Sequence, residues 1–284
     1  MSELDHYAIY RDVINHVLTD SEKLPSLPSI TLRIRQAMSE ENATAESLAQ
    51  IITKDPALSA LLIKSASSPL YKRAVAPNTL ADVIGLLGFS ATSNLVMLHS
   101  VRSVFVMSNP KAKTLFAHTW RRLIVKVALS LFIARRLQFR PNEHAQMAAL
   151  LSEVGSLAVL SALIEQPQVP DADTYFQMCR HYSKSLGSIL LQKWNIDFVF
   201  VNAVKQMGNW LYADKDEIEL IDVLNLAVYN TVLMTNTKPN LPDLDTLTAF
   251  KKLPKHLKVC VKKNWLDWVI GNKAEIQGIV ESFK

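Results

Sequence analysis

The chain contains little glycine, few cysteines and no long apolar run. Only 7 of its 284 residues are glycine, which disfavours a turn-rich all-β fold. Its two cysteines, Cys179 and Cys260, lie far apart and form neither a metal-binding nor a redox motif. The longest stretch without charge, between Asp82 and Arg102, is interrupted by glycine and polar residues. We therefore predict buried helices there and no membrane span.

Other absences narrow the class of protein. Residues 1–20 have no apolar central region of the kind found in secretory signals, and we expect the cysteines to be reduced. Both observations predict a cytoplasmic protein. The net charge of +5 is too small for this length to identify a nucleic-acid-binding protein. Hydrophobic residues make up 49% of the chain, which is typical of a well-packed globular protein.

Apolar residues recur at helical spacing along most of the chain, and we find no fixed-period repeat. In the segment 113–139, for example, Leu115, Leu123, Val127 and Leu131 fall on one face of a long predicted helix. Further helices are predicted at 142–163, 174–182, 185–194, 198–210 and 216–235. This pattern leaves little room for strands and predicts an all-α fold.

Local signals in the first third of the chain mark where helices begin and end. Asp55 can accept the free N–H groups of the next helix, and Pro56 suits the first turn because no N–H is needed there. Thr79 and Asp82 have the spacing of a capping box. Gly88 is well placed to end that helix.

The order of several segments resembles that of an HDOD domain, a bacterial signalling module related to the HD phosphohydrolases. The segments, in order, are Leu48–Leu62 with the Asp55-Pro56 pair, Ser65–Tyr71, Ala81–Gly88, the helix led by Trp120, Ala148–Gly155 and Gly187–Ile196. The resemblance covers about residues 24–210. It implies a multi-helical, HD-like core (109–284) preceded by an N-terminal helical bundle (1–108), and it places Tyr71 in a structural role.

The resemblance also implies which residues stand in place of the metal ligands of the HD superfamily. Members of that superfamily hold one or two metals with a histidine, an adjacent His-Asp pair and a further aspartate, and the metal activates water. This chain has no His-Asp dipeptide. The corresponding positions and their neighbours carry Arg122, Ser152, Glu153, Ser183 and Gln206. We therefore predict no catalytic, cofactor-binding or metal-binding residue, and we expect these five to line a vestigial pocket.

Two interpretations of Arg122 remain open. It can form a salt bridge with Glu153 that closes the old site, or it can receive the carboxylate or phosphate of a ligand such as a nucleotide. In either case a fixed cation would repel a divalent metal. A rival hypothesis is an unorthodox metal site made by His118, His144, His181 and Glu153. By contrast, we interpret His99 as a hydrogen-bonded core residue.

The lysine-rich segment 251–263 offers a different surface. Lys255, Lys258 and Lys262 would share one face of a helix and could contact phosphates. No aromatic residues suited to base stacking accompany them. We favour a solvated face and expect no nucleic-acid partner.

These observations predict a non-catalytic regulatory module of bacterial signal transduction that needs no cofactor. It would bind a protein partner in a signalling pathway, or a nucleotide or other anionic small ligand. The chief alternative is a metal-dependent phosphohydrolase acting on a nucleotide or phosphoester, and a third, weaker one is a nucleic-acid-associated regulator that uses the lysine-rich tail. We expect Trp120 and Trp194 to anchor the core.

Overall fold

The computed structural model describes residues 3–20, 22, 24–71, 76–164, 169–235, 240–258 and 266–283. No β-strand occurs within these ranges, so the all-α prediction is confirmed. The chain forms two compact units, one of residues 26–106 and 277–284, the other of residues 1–25 and 107–276. The division at residues 108 and 109 was predicted from the family resemblance, and it stays a proposal.

The smaller unit is built mainly from five consecutive helices. They are α2 (Ser29–Met38), α3 (Ala45–Ile52), α4 (Pro56–Ala66), α5 (Leu80–Leu87) and α6 (Phe89–Val104). The predicted caps are present: the Asp55 carboxylate accepts a hydrogen bond from the Leu58 N–H at 2.9 Å, and Thr79 and Asp82 form a capping box. Gly88 ends α5 with a φ of 79°. Short-range chemistry therefore determines these boundaries.

The interpretation of His99 as a hydrogen-bonded residue is confirmed. Its Nε2 lies 3.1 Å from Oδ2 of Asp55, while the other oxygen of that carboxylate caps α4. The His99 side chain is 20% exposed, so it lies at the edge of the core. Asp55 thus links the start of α4 to α6.

The larger unit contains the longest helices of the protein. Its helices are α1 (Glu3–Thr19), α7 (Pro110–Arg136), α8 (Asn142–Leu151), α9 (Val154–Leu163), α10 (Ala172–Lys193), α11 (Phe198–Gln206), α12 (Leu220–Thr235), α13 (Thr248–Lys251) and α14 (Asp267–Ile270). A last helix, α15 (Lys273–Ser282), starts in this unit and ends in the smaller one. Helix α9 lies at the centre, in contact with α1, α7 and α10.

Four predicted helices differ from the observed ones. The helix predicted over 142–163 is interrupted at Ser152 and Glu153, which separate α8 from α9. The two helices predicted at 174–182 and 185–194 form the single helix α10, since no proline interrupts them. Helix α11 ends at Gln206, just before Gly208 with its φ of 76°.

Among the described residues, one stretch is long and apolar enough to cross a membrane by length and composition. This stretch, Asn142–Leu163, covers α8 and α9, and 83% of its most apolar window is buried inside the protein. Helices α5 and α6 pass the same test only as a pair, and that pair is bent by 108°. Packing within the protein therefore accounts for the apolar character of Asn142–Leu163.

Trp194 anchors the end of α10, as predicted. Its side chain is buried, and its Nε1 donates a hydrogen bond of 2.8 Å to the carbonyl oxygen of Pro25. Trp120 is instead half-buried and stacks on Phe116, with ring centroids 5.6 Å apart. Of the two predicted anchors, only Trp194 therefore lies deep in the core.

We expect Trp194→Phe to lower the free energy of unfolding by about 1–3 kcal/mol, because the Pro25 carbonyl loses its donor and a smaller ring leaves space. Differential scanning calorimetry would measure the change. Trp120→Phe is the matched control and should shift the melting temperature less. Equal shifts for the two variants would contradict the anchoring role of Trp194.

Candidate functional site

The candidate site is the interruption between α8 and α9. Ser152 and Glu153 occupy this turn, and both are buried. The Ser152 hydroxyl donates a hydrogen bond to the carbonyl oxygen of Ala149 at 2.7 Å. The Glu153 side chain is only 4% exposed, so its charge needs partners within the protein.

Arg122 of α7 is the first of these partners. Its Nε donates to Oε1 of Glu153 at 3.1 Å, and its Nη2 donates to Oε2 at 2.8 Å. The predicted proximity of the two residues is thus confirmed. The Arg122 side chain remains 28% exposed, and its guanidinium carbon lies 5.4 Å from the centre of the Phe176 ring.

Lys126 is the second partner and lies one helical turn after Arg122. Its Nζ donates to Oε1 of Glu153 at 2.5 Å and to the Ser152 hydroxyl at 2.9 Å. It also lies 3.9 Å from the sulfur of Met207, just beyond the end of α11. The Lys126 side chain is only 4% exposed. A single ammonium group therefore links α7, the turn at 152–153 and the end of α11.

The electrostatics follow from burial and from these contacts. Burial alone would raise the pKa of Glu153, but the charges of Arg122 and Lys126 outweigh it and lower that pKa to about 2. Burial would lower the pKa of Arg122, but the Glu153 carboxylate outweighs this effect and raises it. The pKa of Lys126 is lowered, first by burial and then by repulsion from Arg122, although Glu153 acts in the opposite direction.

The remaining predicted residues lie around this cluster. A Cβ atom on Gly155 would be 1.8 Å from the carbonyl oxygen of Ser183, so α9 and α10 touch backbone to backbone beside the turn. Gln206 precedes Met207, but its side chain accepts a hydrogen bond from Asn209. Arg122 thus bonds directly to Glu153 in the turn. Ser183 reaches the turn only with its backbone carbonyl, and Gln206 only through its neighbour Met207. A pocket role for the five residues stays a prediction.

The residues present do not fit a divalent metal. Both oxygens of Glu153 bond to cationic groups. The two fixed positive charges of Arg122 and Lys126 would repel a divalent metal ion. Within the described ranges, no three His, Cys, Asp or Glu side chains come together as a metal site. His144 packs on Phe200 and His181 on Tyr182. The described structure therefore does not bring together three of the four residues of the rival metal site, which were His118, His144, His181 and Glu153.

A second buried ion cluster had no clear signal in the sequence. Lys252 Nζ lies 2.8 Å from Oδ2 of Asp222 and 3.6 Å from Oε2 of Glu219. The Lys252 side chain is only 7% exposed, although the sequence places it in a run of surface lysines. Its partners lie about 30 residues away in the chain, so the local sequence pattern could not predict that Lys252 is buried.

The lysine-rich face is only partly described. Lys255 belongs to a short 3-10 helix, and Lys258 Nζ donates a hydrogen bond to the carbonyl oxygen of Lys251. The predicted third member, Lys262, lies outside the described residues, as does Cys260. Because that 3-10 helix ends at Leu257, the predicted helical face through Lys255 and Lys258 is wrong, and the position of Lys262 stays a prediction.

A surface cavity of about 420 Å³ lies at the other end of α7. Its lining residues are Arg136, His256, Leu257, Asp267 and Trp268. Fourteen residues of α7 separate Arg136 from Arg122, a distance of about 20 Å along the helix. The cavity is therefore distinct from the buried ion cluster.

Comparison with known proteins shows which family the chain is similar to. The sequence model of the HDOD domain matches residues 24–209. None of the curated proteins is similar enough to the chain to match it.

Several solved structures have the same fold. A protein of Shewanella amazonensis SB2B, proposed to be a metal-dependent phosphohydrolase, is 18% identical to this chain, with a TM-score of 0.76. The match covers 97% of this chain and 99% of the Shewanella protein. An HDOD domain protein of unknown function from Geobacter sulfurreducens is 16% identical with a TM-score of 0.67, covering 96% of this chain and 97% of its own. A protein of Marinobacter aquaeolei VT8, proposed to act in signal transduction, is 18% identical with a TM-score of 0.63. That match covers all of this chain and 67% of the other.

Proposed function

Because this chain belongs to the HDOD domain family, we propose that it is a non-catalytic regulatory module of bacterial signal transduction. It acts in the cytoplasm by binding a protein partner or a small anionic ligand. The signalling role proposed for the similar Marinobacter protein supports this assignment by analogy of fold.

The single observation that carries the proposal is the cluster of Arg122, Lys126 and Glu153. In the superfamily that the sequence resembles, this region holds the ligands of a metal ion, and that ion activates water. Here two cations and one carboxylate bond to each other, and both carboxylate oxygens are used. Such a cluster can hold helices in place, but it presents neither a free base nor a set of metal ligands.

The second candidate is a metal-dependent phosphohydrolase. It is favoured by the overall likeness to the Shewanella protein, whose proposed activity is of this kind. The positive charges of Arg122 and Lys126 argue against it, because they would repel the metal ion that this chemistry requires.

The metal content of the purified protein distinguishes the two functions. We expect less than stoichiometric metal, measured by elemental analysis of untagged protein from cells grown in metal-supplemented medium. One or two tightly bound transition-metal ions per chain, together with hydrolysis of bis(p-nitrophenyl) phosphate, would overturn the regulatory assignment.

A further inference from the structure

The surface cavity at the end of α7 has the size of a small-molecule site. Its volume of about 420 Å³ lies within the range of cavities that bind such ligands. Three separate elements of the larger unit supply its described lining residues. Arg136 ends α7, His256 and Leu257 belong to a 3-10 helix, and Asp267 and Trp268 begin α14.

Trp268 joins these three elements to one another. Its Nε1 donates a hydrogen bond of 2.9 Å to the carbonyl oxygen of Leu257, which attaches α14 to the 3-10 helix. Its ring lies against Phe132 of α7, with ring centroids 5.9 Å apart. The Trp268 and Leu257 residues are each only 8% exposed. The cavity therefore has a fixed, apolar inner wall, and a ligand would cause little rearrangement of the protein on binding.

Arg136, His256 and Asp267 supply the polar groups of the same cavity. All three are exposed, and none of their side chains forms a hydrogen bond or an ion pair with a described residue. The guanidinium of Arg136 and the carboxylate of Asp267 are thus not paired with each other, although they carry opposite charges. The cavity therefore offers one cationic and one anionic group to a ligand.

A ligand that matches both groups must itself carry both charges. A carboxylate fits the planar fork of Arg136, which can donate to both of its oxygens at once. An ammonium group fits the ionised carboxylate of Asp267, which only accepts hydrogen bonds. An imidazole has a ring N–H in either charge state, so His256 can donate a further hydrogen bond. An apolar substituent of the ligand would meet the inner wall of the cavity.

We propose that this cavity binds a small zwitterion, an α-amino acid with an apolar side chain. Arg136 binds its carboxylate, Asp267 binds its ammonium group, and Trp268 and Leu257 contact its side chain. The inference goes beyond the proposed regulatory function and does not depend on it, because the cavity shares no described residue with the ion cluster of Glu153.

Isothermal titration calorimetry of the full chain with L-leucine and with L-phenylalanine tests the site at neutral pH. We expect saturable binding of at least one of them, with one ligand per chain. Analogues that lack one charge should bind about tenfold more weakly, because one charge-assisted contact is lost. These analogues are 4-methylpentanoate and 3-methylbutylamine for leucine, and 3-phenylpropanoate and 2-phenylethylamine for phenylalanine.

Two variants assign the two charged contacts. Arg136→Gln and Asp267→Asn should each weaken binding of the amino acid about tenfold. Asp267→Asn should leave binding of the carboxylate analogue unchanged, whereas Arg136→Gln should leave binding of the amine analogue unchanged. The matched controls are Arg135→Gln, next to Arg136 in α7, and Asp245→Asn in an exposed 3-10 helix. Neither residue is a described lining residue, so both controls should bind as wild type does.

Three results would overturn the amino-acid site. The first is absence of saturable binding of both amino acids up to about 10 mM. The second is equal affinity for the amino acid and its carboxylate analogue, which would indicate a site for simple anions. The third is equal weakening by Arg136→Gln and Arg135→Gln, because net charge and not the cavity would then attract the ligand. None of these results changes the metal content of the protein, so the regulatory assignment is tested separately.

Discussion

Gly155→Ala is expected to be the most damaging small substitution in this protein, lowering the free energy of unfolding by about 3 kcal/mol or more. The new Cβ would lie 1.8 Å from the carbonyl oxygen of Ser183 and 2.9 Å from the amide nitrogen of Gly187. Both are backbone atoms, so no side chain can rotate away to relieve the overlap. Helices α9 and α10 would have to separate at the centre of the larger unit.

Gly85→Ala is the matched control for this experiment. Gly85 lies in α5, and apart from its chain neighbours and the backbone of its own helix no atom lies within 4 Å of the position of an added Cβ. Alanine is a better helix former than glycine, so this variant should be neutral or up to about 1 kcal/mol more stable. Scanning calorimetry measures both. A Gly155→Ala protein that melts like wild type would contradict the close approach of α9 and α10.

Glu153→Gln is expected to lower the free energy of unfolding by about 3–5 kcal/mol, because it leaves Arg122 and Lys126 without a countercharge in a largely buried site. The amide nearly preserves side-chain volume, so the loss reports on charge. Glu41→Gln, in an exposed turn, should change stability by less than about 0.5 kcal/mol. Urea unfolding of the three proteins at neutral pH provides the measurement.

The pH dependence of stability tests the same cluster independently. The pKa of Glu153 is lowered from 4.5 to about 2 in the folded protein. Its ionised form therefore stabilises the fold fully above pH 4.5, and this contribution is lost as the pH falls toward 2. The loss amounts to about 3 kcal/mol. Glu153→Gln cannot show it, so the two stability curves should converge in acid. Parallel curves would mean that Glu153 is not paired in solution.

Much of the fold could be predicted from local sequence. The caps at Asp55 and Thr79 and the stop at Gly88 depend on residues within four positions of one another, so the sequence alone was enough to locate them. The resemblance to the HDOD family, which the match over residues 24–209 confirms, predicted Arg122 and Glu153 as neighbours at the candidate site. Their contact across 31 residues could then be predicted as one of two alternatives.

Other features depended on the tertiary structure. The apolar pattern of 142–163 gave no sign that the helix breaks at Ser152 and Glu153, because the favourable partners of that turn come from α7. The local sequence does not show that Lys126 is buried, yet its side chain is only 4% exposed. The same is true of Lys252, whose partner Asp222 lies in α12.

The sequence by itself therefore determined the helical class and the helix ends set by caps, and through the family resemblance it predicted which residues replace the superfamily's metal ligands. Those properties follow from hydrophobic period, short-range hydrogen bonding and residue identity. The tertiary structure decided which cations are buried, which carboxylate they share, and which basic side chains remain at the surface. Burial changes the free energy of a charge by several kcal/mol, and it depends on packing between helices that are far apart in the chain.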